Sequence, residues 1–87
     1  MRKKIVTGNW KMNLNYKDAL SLVTDVLDNL PKSTEVEIVF APSFIYLSEI
    51  YNMCRDLDNI KIAAQDCSVE SIGAFTGDVS ASMISSV

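Results

Sequence analysis

Lys4-Ile5-Val6-Thr7-Gly8-Asn9-Trp10-Lys11-Met12-Asn13 (KIVTGNWKMN) opens as a strand and closes as a turn. Lys4 to Asn9 is short and β-branched and ends at a Gly–Asn pair, the pattern of a buried strand. Outward from it, the chain continues in the same alternation of elements. From Asn15 to Leu30 the apolar residues Ala19, Leu22, Val23, Val26, Leu27 and Leu30 recur three and four apart. That spacing predicts a helix with Asn15 as its N-cap and Pro31 as its close. Glu35 to Ala41 (EVEIVFA) predicts a second strand, with Val36, Ile38 and Phe40 alternating. Pro42 and Ser43 then open a second helix whose stripe is Phe44, Leu47, Ile50, Tyr51, Cys54 and Leu57, and Asn59 to Gln65 (NIKIAAQ) predicts a third strand. A longer loop from Asp66 to Asp78 carries Gly73 and Gly77, and Ser80 to Val87 begins a third helix.

Strands that alternate with helices, and that are apolar on nearly both faces, predict an α/β fold with a parallel sheet and right-handed crossovers. Periodicity does not separate an open doubly wound sheet from a closed (β/α) barrel. The turn after the first strand does bear on ligand class. A dinucleotide-binding domain needs a glycine-rich turn there, and Gly8 is the one glycine of Gly8-Asn9-Trp10-Lys11-Met12-Asn13. Gly73-Ala74-Phe75-Thr76-Gly77 has neither the spacing nor the Lys–Ser/Thr of a phosphate loop. A small nucleotide binder is therefore disfavoured.

Composition narrows the chemistry further. The chain has 87 residues, enough for one small domain, with 48% hydrophobic and 22% charged residues and a net charge of -3, which is globular. The basic cluster Arg2-Lys3-Lys4 reads as a solvated lead-in to a strand, with neither a nucleic-acid nor a membrane partner implied. No apolar run is long enough for a signal peptide or a membrane span. Cys54 and Cys67 stand in no redox or zinc spacing and the chain has no histidine, so no metal site is expected. Free thiols suit a reducing compartment, and a cytoplasmic location is expected. Without histidine, acid–base chemistry would fall to Lys, Asp, Glu, Tyr or Cys.

At the end of the first strand, alternation sends Asn9 and Lys11 one way and Trp10 the other. In a barrel the amide and ammonium would then sit at the mouth, with the indole turned to the helix layer. Barrels place their chemistry at the C-terminal ends of strands. Taken singly, a lysine there is far more often a solvated surface cation, the asparagine a turn residue and the tryptophan core packing. A glycine-bounded loop tipped by Phe75 is more often an ordinary surface loop than a contact anchor.

Together these words carry more. Gly8-Asn9-Trp10-Lys11-Met12-Asn13 closely resembles the first-strand motif of the triosephosphate isomerase family. Ala64-Gln65-Asp66-Cys67 followed by Gly73-Ala74-Phe75-Thr76-Gly77-Asp78 resembles the family's third strand and loop, in the same order and at similar separation. The Ala41-Pro42-Ser43 turn and both helices also look like the family, so the resemblance covers the whole chain. It implies that residues 1–87 are the N-terminal segment of a single (β/α)8 barrel domain, the first three parallel strands with their helices. It implies an isomerase of glycolysis and gluconeogenesis that interconverts dihydroxyacetone phosphate and glyceraldehyde 3-phosphate through an enediolate, with no cofactor. Lys11 would be catalytic and, with Asn9, would bind the triose phosphate substrate. The 66–78 loop would build a homodimer, with Phe75 at its tip, Thr76 supporting the partner's copy of Asn9 and Lys11, Met12 in the receiving surface, and Gln65 as a supporting hydrogen-bonder.

Three positions depart from the family pattern: Asp78 replaces the usual Glu, Asp66 a common Asn, and Thr7 a Gly or Ala. The family's electrophilic histidine, catalytic glutamate, mobile lid and late phosphate loops are expected beyond Val87, so these residues alone are expected to be inactive. A non-catalytic barrel-derived scaffold is the alternative. The first and third strands are expected to be open edges. Ile5, Ile38 or its neighbours, and Ile62 are expected on the face that would line a barrel.

Overall fold

A computed structural model describes residues 2–30 and 35–87. The first strand, β1, is Lys4–Asn9, and helix α1 is Tyr16–Asn29. Strand β2 is Val36–Ala41, followed by a 3-10 turn at Phe44–Tyr46 that runs directly into helix α2, Leu47–Cys54. Strand β3 is Ile60–Ile62 and helix α3 is Ala81–Ser85. The three strands form one parallel sheet in the order β1-β2-β3. The expected strand–helix alternation is therefore present, and β1 and β3 are the sheet's edges.

Helix α1 buries Ala19 and Val23 completely, one turn apart on the stripe that its spacing marks out. Asn15 stands at the N-cap with extended backbone and accepts the Ala19 N–H through its carbonyl at 2.9 Å, but its side chain makes no capping bond. Leu30 is already extended (φ -74°, ψ 138°), so the helix ends there; Pro31, expected to close it, lies outside the described residues. The second helix opens more tightly than its stripe suggested. Pro42 is fully buried, and the Tyr46 N–H donates to the Ser43 carbonyl at 3.1 Å, which makes the first turn 3-10. Strand β3 is shorter than the apolar run Asn59 to Gln65, yet pairing extends past both its ends. Ile38 N–H donates to Asn59 at 2.8 Å and Ala63 N–H to Phe40 at 2.8 Å.

Register fixes which side chains share a face. Gly8 lies beside Phe40 and Phe40 beside Ile62, while Val6 lies beside Ile38 and Ile38 beside Ile60. Trp10, Phe40 and Ile60 are buried in one core with Ala19 and Val23 of α1 and Ile50 and Cys54 of α2. The Trp10 and Phe40 rings meet edge to face at 6.0 Å, a contact worth about 0.5–1.5 kcal/mol beyond area burial. Both helices thus cover the same face of the sheet. Burial among apolar neighbours pushes the Cys54 thiol pKa up, so this cysteine is an inert core residue.

One expectation is corrected here. Ile62 packs against the helix-side core and does not line the opposite face; Ile38 packs there too, so of Ile38 and its neighbours it is Glu37 and Val39 that take the opposite face. Ile5 does lie on that face, beside Glu37 in the register. Alternation places Thr7, Asn9, Glu37, Val39, Ala41, Lys61 and Gln65 there too. This face is mixed in character, with a Lys3–Glu37 ion pair at 3.5 Å.

Candidate functional site

The three strands converge at their C-terminal ends. Trp10 N–H donates to the Ala41 carbonyl at 3.1 Å, which extends the β1–β2 ladder one residue past Asn9. The chain then turns abruptly. Lys11 has φ 57° and Leu14 φ 75°, both in the left-handed region that residues with a Cβ avoid. Each such residue costs on the order of 1–2 kcal/mol, so the surrounding structure must hold it. Asn9 Oδ1 accepts the Lys11 N–H at 2.9 Å, Asn13 Nδ2 donates to the Trp10 carbonyl at 2.9 Å, and Gln65 Nε2 donates to the Lys11 carbonyl at 3.0 Å. Gln65 Nε2 also donates to Ala41 at 2.7 Å.

Asn9, Lys11 and Gln65 are thereby brought together at one end of the sheet, exposed on the side away from the helices. Among the described residues the Lys11 ammonium forms no ion pair. The site presents one uncommitted cation and neutral amides, which suits an anion. No group of three or more His, Cys, Asp or Glu among the described residues could hold a metal ion. The left-handed turn at Lys11 had no signal in the sequence, because a lysine does not announce positive φ. The Gln65 contact had a partial one, since its place at the end of the third strand matches that of Asn9 at the end of the first.

The loop after β3 carries the other expected residues. Its neck is closed by a parallel bridge between Ser68 and Ser80, with Ser68 N–H donating to Val79 at 2.8 Å. Ser80 is buried and caps α3, its hydroxyl accepting the Met83 N–H at 3.1 Å. At the tip, Asp78 N–H donates to Phe75 at 3.0 Å. Phe75 and Thr76 are exposed there, and Met12 is almost wholly exposed at 95%.

Two glycines in the loop differ in a testable way. Gly73 has φ 137°, and a Cβ there would lie 2.8 Å from the Phe75 ring. Gly77 has φ 90° with nothing within 4 Å of such a Cβ. Both alanine variants carry backbone strain of about 1–3 kcal/mol, but Gly73→Ala must also displace Phe75. Urea melts of the full-length polypeptide should show Gly73→Ala as the more destabilising change; equal midpoints would mean that the ring moves aside without cost.

A parallel sheet of three strands in sequence order, with helices on one face and polar side chains at the C-terminal strand ends, is consistent with the first units of a (β/α) barrel, although the sheet is not closed. The family model for triosephosphate isomerase matches residues 4–87. A triosephosphate isomerase from Flavobacterium psychrophilum is 40% identical over 87 residues, all of this chain and 34% of that protein. One from Geotalea uraniireducens is 42% identical over 84 residues, 97% of this chain and 33% of that protein, and one from Chlorobium phaeobacteroides is 42% identical over 88 residues, 100% of this chain and 35% of that protein. The chain belongs to the triosephosphate isomerase family, and it spans about a third of the length of these relatives.

Proposed function

We propose that these residues supply the first third of an enzyme that interconverts dihydroxyacetone phosphate and glyceraldehyde 3-phosphate, without a cofactor and in the cytoplasm. The observation that carries this reading is Lys11: a cation just past the end of β1 with no ion pair among the described residues, and with its backbone held on both sides. The isomerisation moves a proton between adjacent carbons, and a neutral carbonyl oxygen becomes an enediolate oxygen. A fixed ammonium beside that oxygen gains more from the developing charge than from the carbonyl, and that difference lowers the barrier. Its attraction to the substrate phosphate is the same before and during the reaction, so that part sets affinity. Asn9 has two roles in this reading: its Oδ1 holds the Lys11 N–H and its amide NH₂ is available to a substrate oxygen. The proton-abstracting base and the acid that serves the carbonyl are the family's glutamate and histidine, outside these residues. A purified, folded full-length polypeptide should turn over either triose phosphate in a coupled assay, and absence of turnover would overturn the reading.

The same proposal includes a homodimer through the 66–78 loop. Supporting it, Val69, Ile72 and Met12 are strongly exposed apolar side chains, and Phe75 is half exposed on a loop whose neck is already closed. Thr76 would reach the partner's copy of Asn9 and Lys11. Shortening residues 69–78 in the full-length protein should give a weakly active monomer by sedimentation velocity. A shortened protein that stays a tight dimer places the contact elsewhere.

A further inference from the structure

We infer that Tyr16, through its hydrogen bond to Glu49, is a positioning residue for Lys11, because it fixes where the turn that carries the ammonium must end. The inference rests on the reading of Lys11 as the substrate-facing cation. The Tyr16 hydroxyl donates to Glu49 Oε1 at 2.6 Å, across 33 positions of sequence. Among the described residues Glu49 forms no ion pair, so its carboxylate is left to the phenol. Hydrogen bonding to that carboxylate pushes the Tyr16 pKa up, which keeps the hydroxyl a donor. The Tyr16 ring also tilts against that of Tyr46, with centroids 6.2 Å apart, and Tyr46 is buried. The first residue of α1 is thus tied to α2 and to the 3-10 turn that precedes it.

What this strap spans gives it its consequence. Between Trp10 and Tyr16 the chain holds two left-handed residues, Lys11 at φ 57° and Leu14 at φ 75°, and neither is glycine. Side-chain amides of Asn9 and Gln65 grip the peptides on either side of Lys11. Nothing comparable grips Leu14 among the described residues, and Asn15 after it stands in extended backbone with no side-chain capping bond. A left-handed residue with a Cβ persists only where its surroundings hold it. Trp10, buried and bonded to Ala41, fixes the near end of the stretch, and Tyr16 fixes the far end. Leu14 takes the conformation that a short path between fixed ends requires. If Tyr16 lets go, Leu14 relaxes towards commoner conformations and the slack is passed back to Lys11. The ammonium then leaves the place from which it attracts the substrate phosphate.

The test is Tyr16→Phe in the full-length polypeptide, which keeps the ring against Tyr46 and removes the hydroxyl. Its KM for glyceraldehyde 3-phosphate and its inhibition constant for inorganic phosphate should rise together by about three- to tenfold, the scale of one exposed hydrogen bond to a charged acceptor. Glu49→Ala should give the same shifts, and the double variant should be no worse than either single one. Leu14→Gly supplies a reading that a purely structural role would not move. Glycine takes φ 75° at no steric cost. Leu14→Gly alone should therefore keep both constants within about twofold of the unmodified protein, and in the Tyr16→Phe background it should return them to that range. A residue needed only for stability or assembly would lower the active fraction, leave both constants as they were, and gain nothing from the glycine. Constants within about twofold of the unmodified protein in either folded variant, Tyr16→Phe or Glu49→Ala, overturn the inference. So do additive shifts in the double variant, or a failure of Leu14→Gly to restore Tyr16→Phe. If Tyr16→Phe does not fold, Glu49→Ala with and without Leu14→Gly decides the matter, and failure of both to fold overturns the inference. If the unmodified full-length protein does not isomerise triose phosphates, the proposed function fails first, and separately.

Discussion

Lys11→Ala in the full-length polypeptide is expected to lower kcat/KM for either triose phosphate by about a thousandfold or more, with the fold intact. Removing one preorganised donor to a developing oxyanion costs about 100- to 1,000-fold, and Lys11 is a full charge that also attracts the substrate phosphate. The side chain is exposed and outside the core, so its loss opens no cavity. Alanine is no freer than lysine at φ 57°, so the turn neither gains nor loses much by the change. Lys11→Arg should also be severely impaired, since a planar fork cannot occupy the place of a compact ammonium. Steady-state kinetics with circular dichroism as the fold control decide the matter. Activity of Lys11→Ala within about threefold of the unmodified enzyme would remove the lysine from the mechanism.

Residues 1–87 expressed alone are expected to show no cooperative melt and no isomerase turnover. The reason differs in part from the one first expected. Ile38 and Ile62 are covered by the helices, so the face away from them is less apolar than anticipated, with Glu37 and Lys61 beside Ile5 and Val39. The deficit lies at the edges and at the loop. Ile5 is 58% and Val6 60% exposed, on opposite faces of β1, and Ile45, Val69 and Ile72 are more exposed still. Complete burial of each such side chain would contribute about 1.5–3 kcal/mol. Several of them together match the whole stability of an ordinary domain, about 5–15 kcal/mol. The unpaired edges of β1 and β3 add a route to association with other chains. With no histidine among residues 1–87, the isolated chain lacks the acid that the proposed reaction assigns to the carbonyl. A sharp thermal transition would refute the stability argument, and turnover above background would refute the mechanistic one.

Much of this was legible from residue order. The bounds of β1 follow from a β-branched run that ends at Gly8-Asn9, and those of α1 from a stripe that buries Ala19 and Val23. Alternation sets Trp10 opposite Asn9, and the barrel expectation then turns the indole to the helix layer, where it meets Phe40. The error over Ile62, and the choice left open between Ile38 and its neighbours, have one source. Faces alternate along each strand, but the offset between strands is a property of pairing, and nothing in Glu35 to Ala41 states that Gly8 will lie beside Phe40. In the observed register Trp10, Phe40 and Ile60 share the helix-side core, and Ile38 and Ile62 fall on that side with them. The turn at Lys11 was illegible for another reason: its conformation is imposed by three amides, one of them from Gln65, and local preference opposes it.

The order β1-β2-β3 makes sequence neighbours into spatial neighbours throughout. Lys4 meets Val36 and Ile38 meets Ile60, so each new strand finds its pairing partner already synthesised and separated from it by a single helical excursion. Closure entropy grows only logarithmically with the intervening length, and a topology of such local closures folds quickly for a parallel sheet. On a ribosome, growth of this kind is vectorial. The indole of Trp10 can seat on Phe40 once β2 and α1 have left the exit tunnel, while the residues of β3 are still inside it. The free side of the newest strand then acts as a template, and the nascent sheet lengthens at that margin one unit at a time.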